Sequence, residues 1–409
     1  MWALGPVVIG GMIALAGCVS PVALHTAVIA YDKAAALVQS EMLLLNIARA
    51  RNVEPLHFTA LSSVAATFNF EATAGIAPGG AGETSTTFSP LFTATIAEQP
   101  TITIVPVQGE EFTKRVLSPV GAEKVAFLFQ QGVEPSILLR LMAAELVVEE
   151  SGGFSVLRNN PLYPGQYKAF RRAVLKISAL NRAASLNVGP IVYERTLPVS
   201  LPADSGSPHV LSALDGILGA LENGFEWKRA ADGARPELVQ QIVGRLAITN
   251  YDLSQLSNAA RRRFNEDAKG QPDNSLIVDI RPGDFGGDFS LRGYFVFRSF
   301  EDILRFVGAG ISTVPEVHVQ QEARTGRLPP GPPANPPSTL AVAASEDEPD
   351  GAAFTVEYRD TWYSIGQADV GAGGDFPWDQ EAFRTLNQLY QMTVTDVSRT
   401  PTPAITIAK

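Results

Sequence analysis

The longest regular pattern in the chain is an alternation of period two. Val64, Ala66, Phe68, Phe70, Ala72, Ala74 and Ile76 fall on one face, with Ser63, Ala65, Thr67, Asn69, Glu71 and Thr73 on the other. Such alternation predicts a strand with one apolar face. A return limb carries Phe88, Phe92, Ala94 and Ile96 opposite Ser89, Thr93 and Thr95. Between the limbs, Ala77-Pro78-Gly79-Gly80-Ala81-Gly82-Glu83 cannot continue a strand and predicts a loop. Pro90 assigns the return limb to an edge or bend, because proline donates nothing to a ladder. A third strand is expected at Thr101–Val105, after Pro100.

Helical spacing surrounds this region. Leu37, Leu44, Leu45 and Ala48 predict a helix from Leu24 to Arg51, closed by Pro55. Further helices are expected at Gly121–Gln131, Pro135–Glu150, Gln166–Leu186, Val210–Asn223 and Gln380–Met392. Ser299, with Asp302 three residues on, opens another at Phe300–Gly308 as an acidic variant of the capping box. Strands are expected at Ile191–Leu201, Phe225–Arg229, Leu276–Ile280 and Arg292–Arg298, and a hairpin at Phe354–Arg359 and Thr361–Ile365. The prolines from Pro329 to Pro337 and the acidic run Ser345–Asp350 predict a linker over 324–351, mobile and of little weight in stability. The expected fold is α+β: an N-terminal helix, an amphipathic β-hairpin or small antiparallel sheet, a helical middle and a mixed C-terminal part. Its divisions are a signal peptide at 1–17, a tethered helix at 18–56, the β region at 57–108, a body at 109–323, the linker, and a small C-terminal unit at 352–409.

The N-terminus changes the picture from fold to address. Residues 1–17 carry no charged side chain, are mostly apolar, and are too short and Gly-rich for a confident membrane-spanning helix. They suit the apolar region of a secretory signal. The stretch ends in Leu15-Ala16-Gly17-Cys18, which resembles the bacterial lipobox. That resemblance implies cleavage before Cys18 and lipidation of its thiol, and Val19 after the Cys implies the outer membrane. Several acyl chains on one Cys anchor a protein stably without a spanning helix. Cys18 is the only cysteine among 409 residues, so an intramolecular disulfide and a Cys-built zinc site are both excluded.

Three further groups of residues look familiar together. They are Ser40–Arg49, Pro100–Ile104 with Gln108–Phe112, and Val356–Arg359 with Trp362–Ile365, Asp369 and Leu386–Tyr390. Through them most of the mature chain resembles a group of uncharacterised proteobacterial lipoproteins. The resemblance implies a location and adds no mechanism.

Candidate chemistry is sparse. With 32 Lys and Arg against 42 Asp and Glu, the net charge is -10, which argues against nucleic acid as a partner. No P-loop, nucleophile elbow, zincin helix or dinucleotide fingerprint occurs. His25, His57, His209 and His318 have no metal-ligand spacing. Asp279, Asp284 and Asp288 lie in a Gly-rich turn where oxygen ligands for calcium are one reading and turn-forming bonds the commoner one. Arg261-Arg262-Arg263 reads as a solvated helix face, with anionic lipid head groups as the alternative. Tyr358, Trp362 and Tyr363 read as cross-strand packing, with a binding surface as the alternative. The adjacent pairs Glu110/Glu111 and Glu149/Glu150 look like surface charge rather than a catalytic couple.

The expectation is therefore a non-enzymatic lipoprotein without metal or cofactor. It is anchored to the outer membrane through Cys18, faces the periplasm, and has a structural or assembly role through envelope proteins or self-association. Two alternatives stay open. One is a subunit of an oligomeric β-barrel export pore, for which the lipoprotein channel that exports curli subunits is an architectural analogy. The other is an enzyme acting on an envelope polymer, since glycoside cleavage needs only two carboxylates at a suitable separation. The amphipathic hairpin fits either a periplasmic sheet packed on helices or one stave of a shared barrel. The address itself is testable: Cys18→Ser should abolish incorporation of radiolabelled palmitate in cells, and equal labelling of the variant would refute it.

Overall fold

A computed structural model describes residues 5–78, 88–197, 199, 209–229, 236–283, 287–288, 290–325, 335–366, 377–394 and 405–406. The chain begins with one long helix, α1 (Gly5–Arg51), followed by two long strands, β1 (Phe58–Pro78) and β2 (Phe88–Val107). The body then runs α2 (Glu110–Leu117), α3 (Ala122–Gln130), α4 (Pro135–Met142), β3 (Ala143–Glu150), β4 (Gly153–Arg158), α5 (Pro164–Arg182) and β5 (Asn187–Leu197). It continues through α6 (His209–Glu222), β6 (Glu226–Arg229), β7 (Pro236–Thr249), α7 (Asn258–Asp267), β8 (Ser275–Ile280), β9 (Leu291–Phe297) and α8 (Phe300–Ser312). The C-terminal part holds β10 (Ala343–Ser345), β11 (Ala352–Glu357), β12 (Trp362–Gly366), α9 (Trp378–Val394) and β13 (Ile405–Thr406). The fold is α+β.

The central sheet has the order β4-β3-β9-β8-β7-β5, with β6 added alongside β7. Only the β7–β8 pair among these is parallel. Gly293 sits where β9 crosses β3, at φ +153°, and a Cβ there would come within 1.9 Å of the Val147 carbonyl oxygen. The strands can approach only because that residue is glycine. The main core gathers α4, α5, α8 and α9 on this sheet through residues such as Leu138, Phe170, Phe295, Phe300 and Leu386. The last turns of α1 enter the same core through Leu43, Leu44, Ile47 and Ala48. A Cβ on Gly308 would lie 2.9 Å from the Arg51 nitrogen, so α1 and α8 cross in near backbone contact.

Three expectations fail for physical reasons. The helix expected over Pro135–Glu150 stops at Met142 and becomes β3. Its last carbonyls need partners at the helix end, and Arg298 supplies them. Nη1 donates to the Arg140 and Leu141 oxygens at 3.2 and 3.0 Å, and the Asn159 side-chain amide donates to Arg140 and Ala143. The separate strand expected at 101–105 is instead the end of one unbroken β2, which runs through Pro90 and Pro100 in pairing with β1. Both prolines need only a position where the ladder asks no donor of them. The linker expected over 324–351 is packed in its second half. Thr339, Leu340 and Val342 are buried, and β10 pairs with β12. Residues 326–334 of that span, Arg327 included, lie outside the described residues.

What packs the proline segment is a buried ionic cluster. Arg140 of α4 and Arg171 of α5 are 1% and 0% exposed. They share one carboxylate, with guanidinium nitrogens 3.6 and 3.5 Å from Glu316 Oε2. The Tyr167 hydroxyl donates to the same oxygen at 2.8 Å and accepts from Arg171 at 2.6 Å. Thr339 donates from its backbone nitrogen to Glu316 Oε1 and from its hydroxyl to Oε2. Arg140 Nε donates to the Thr339 hydroxyl at 3.1 Å, and further guanidinium hydrogens go to the carbonyls of Pro336 and Pro337 and to Asn335 Oδ1. Prolines carry carbonyl acceptors without competing N–H donors, so this stretch suits a cationic pocket. Burial pulls the Arg140 and Arg298 guanidinium groups down to about 10, yet both stay charged at neutral pH.

Removing one partner of such a cluster leaves buried charge uncompensated. Glu316→Gln should lower stability by about 3–5 kcal/mol in urea unfolding at neutral pH. An unchanged midpoint would show that the carbonyls alone neutralise the two cations.

Candidate functional site

The most regular amphipathic element among the described residues is the ribbon formed by β1 and β2. These strands pair antiparallel from Phe58↔Val107 to Pro78↔Phe88, with one irregularity between Leu61 and Ser63. Directly paired residues share a face. One face therefore carries Val64↔Ile102, Ala66↔Pro100, Phe68↔Glu98, Phe70↔Ile96, Ala72↔Ala94, Ala74↔Phe92 and Ile76↔Pro90. The other carries Ala65↔Thr101, Thr67↔Gln99, Asn69↔Ala97, Glu71↔Thr95, Thr73↔Thr93, Gly75↔Leu91 and Ala77↔Ser89. Apart from Glu98 the first face is apolar, and the second is made mainly of small and polar residues. Beside this pair, β13 adds to β2 at Ile104 and Thr103. The side chains of Phe68 and Phe70, whose packing on the protein's own helices was one expectation, lie outside the described set.

The base of the ribbon is fixed by α1. Buried Asn46 accepts from the His57 backbone nitrogen at 2.8 Å and donates to its carbonyl at 2.9 Å, so its amide replaces a strand partner for that residue. One turn earlier on the helix, Met42 Sδ accepts from the Thr59 hydroxyl. Phe58 between them enters the core, 4.9 Å from Tyr390 ring to ring and 6.0 Å from Phe112. Earlier in α1 the burial ends: Val28, Ile29, Leu37 and Val38 are all exposed. Helix and ribbon thus meet at one junction. Sequence periodicity found both elements. The Asn46–His57 clasp was missed, and an Asn within an apolar helical stripe was its only signal.

The other candidate residues are dispersed. Tyr363 is buried and accepts from Arg51 at 2.7 Å, and Tyr358 donates to Glu54. That hydrogen bond to Glu54 raises the Tyr358 hydroxyl pKa. The two tyrosines thereby bolt β11 and β12 to the end of α1 and the residues after it, a polar link that the expectation of cross-strand packing did not include. Asp279 accepts from Tyr251 at 2.6 Å and lies 3.7 Å from both Arg281 and Arg292, so its charge is already answered by cations. Asp284 lies outside the described residues, and among those described no group of three His, Cys, Asp or Glu is placed to hold a metal. Arg262 and Arg263 are exposed on α7, and Arg263 borders a cavity of about 390 Å³ with Asp267, Asp279, Arg281 and Arg292. His25, His57 and His318 are exposed at separate places. Glu110 and Glu111 pair with Lys114 and Arg115 on the surface, and Glu149 pairs with Arg292. Cys18 lies within α1, far along the chain from the body.

Among the described residues no helix is long and apolar enough to cross a membrane. Comparison of the chain with known protein families, with curated proteins and with solved structures finds no match.

The clasp is the point at which ribbon and helix can be uncoupled. Asn46→Leu keeps the volume while leaving the His57 amide without its acceptor, its carbonyl still accepting from Arg49 at 3.2 Å, at a cost of about 1–3 kcal/mol. Hydrogen exchange at Phe58–Ala60 should quicken relative to β8. Unchanged protection there would show that the ribbon is held by Phe58 alone.

Proposed function

We propose that this chain is a lipid-anchored outer-membrane lipoprotein whose β1–β2 ribbon joins those of other copies in one closed barrel, forming a pore. The observation that supports the reading is the ribbon itself. It is a long antiparallel pair, in register from Phe58↔Val107 to Pro78↔Phe88 with one irregularity, and apart from Glu98 one of its faces is apolar. An isolated two-stranded ribbon is marginal in water. In lipid, open strand edges leave backbone groups unpaired, so a membrane accepts such a ribbon only when neighbouring copies close the ladder. The lipobox supplies the membrane and Cys18 the anchor. The reading needs no metal, cofactor or catalytic residue.

A second reading is a structural or assembly lipoprotein on the periplasmic side, working through contacts with envelope proteins. The exposed stripe Leu214, Leu218 and Leu221 on α6 favours it, since such apolar surface suits a protein partner. The enzymatic alternative finds no support in the surface-paired carboxylates described above.

The pore predicts a symmetric ring in electron micrographs of detergent-extracted protein and ion conductance in planar bilayers. Ala74→Arg places a cation on the apolar face, where it costs about 2–4 kcal/mol at the bilayer midplane. Conductance should disappear while circular dichroism of the body is retained. A monomeric particle without conductance would leave the protein-contact reading in its place.

A further inference from the structure

Helix and ribbon lie side by side where they meet the body, so their lengths from that point can be compared. His57 is held at the level of Asn46, and Thr59 at the level of Met42, nearer the helix N-terminus. β1 therefore starts antiparallel to α1 and heads toward Cys18. The 24 residues separating Met42 from Cys18 rise about 36 Å at ~1.5 Å each. The 19 residues separating Thr59 from Pro78 advance about 63 Å at ~3.3 Å each. Along its own length the ribbon is longer than the helix by about 27 Å, and the two lengths are equal near Phe70.

That excess is a membrane thickness. A barrel strand crosses the hydrocarbon in about 9–11 residues, and the apolar band of outer-membrane barrels is about 25 Å tall. A shared tilt of about 40° would reduce the vertical reach beyond the anchor to about 20 Å, close to that band. The stretch beyond the anchor level is Phe70–Pro78 on β1 with its partners Phe88–Ile96 on β2.

We propose that α1 is a ruler. The acyl chains on Cys18 fix the near surface of the bilayer, and the length of the helix selects Phe70–Pro78 and Phe88–Ile96 as the segments that meet lipid. The partner is the hydrocarbon core, and the inference rests on the barrel reading above. The charge pattern agrees with this depth independently of the arithmetic. Within these segments the face holding Phe70, Ala72, Ala74, Ile76, Phe92 and Ile96 has no charged residue. Its first charge is Glu98, opposite Phe68, on the body side of the anchor level. Glu71 falls on the other face, opposite Thr95, where a water-filled lumen receives it. Phe68 and Phe70 then stand at the near surface, where barrels carry an aromatic girdle.

Because lipidation consumes the only native thiol, an introduced cysteine is the sole site for a thiol-reactive fluorophore. The experiment uses the full lipidated chain in phosphatidylethanolamine–phosphatidylglycerol vesicles, with an environment-sensitive nitrobenzoxadiazole label and bilayer-embedded doxyl lipids as quencher. Label at Phe70→Cys, Ala72→Cys, Ala74→Cys and Phe92→Cys should shift to the blue and lose at least half its emission to the quencher. Label at Val64→Cys, Ala66→Cys, Thr73→Cys and Thr93→Cys should do neither. The ruler is then lengthened by eleven helix-forming residues inserted after Ala34, three turns that preserve the helical face and withdraw the ribbon by about five strand residues. Quenching should vanish at positions 70 and 72 and persist at 76. Quenching that alternates along the strand but keeps its boundary after the insertion overturns the ruler and leaves the barrel standing. No quenching at any position, together with no ring and no conductance, overturns both.

Discussion

Two guanidinium groups sharing one carboxylate in the interior is the constraint on which the body depends. Arg140 and Arg171 cannot be buried against Glu316 alone, because a second cation would remain unneutralised and its donors unsatisfied. The backbone of 335–337 answers the surplus with carbonyl oxygens. Trp378 completes the enclosure, with the Arg140 guanidinium 5.0 Å from its ring and its own indole nitrogen bonded to the Thr339 carbonyl. One polar cluster therefore fixes α4, α5, the chain after α8, the proline segment and the start of α9 relative to one another. Arg298 extends the same logic to the end of α4, where its donors meet helix carbonyls that β3 leaves behind.

Most of the elements were legible in the sequence because their periods were. The strand alternation from Val64 to Ile76, the stripe Leu37–Leu44–Ala48 and the cap at Ser299 each report a local rule, and each marks an element in place. The misreadings share another cause, which is tertiary demand for polar satisfaction. Nothing local distinguishes Pro135–Met142 from Ala143–Glu150, since the boundary depends on Arg298, far away in sequence. Pro336 and Pro337 belong to a stretch with the composition of a linker, and two buried arginines hold their carbonyls. β7 escaped notice because Gln240, Gln241 and Gly244 interrupt its apolar alternation.

The candidate site divides the same way. The ribbon and helix α1 are patterns within short windows, and both could be read directly. Their relation could not, because it depends on Asn46 meeting His57 and on Met42 meeting Thr59 across the turn at residues 52–57. A helical Asn has many uses, and its amide gives no sign of which backbone it will hold.

The buried cluster also has a consequence for the order in which the protein acquires its structure. Its cations come from residues 140 and 171, but the carboxylate and the carbonyls come from residues 316 and 335–337. While a chain is made or threaded from its N-terminus, the two arginines emerge long before anything can accompany them out of water. Closing the core around α4 and α5 early would strand charge in an apolar interior, so early closure is unfavourable. Contacts this distant in sequence close slowly. The interior is then assembled only once residue 339 is free, and the chain stays open until more than four-fifths of it has been made.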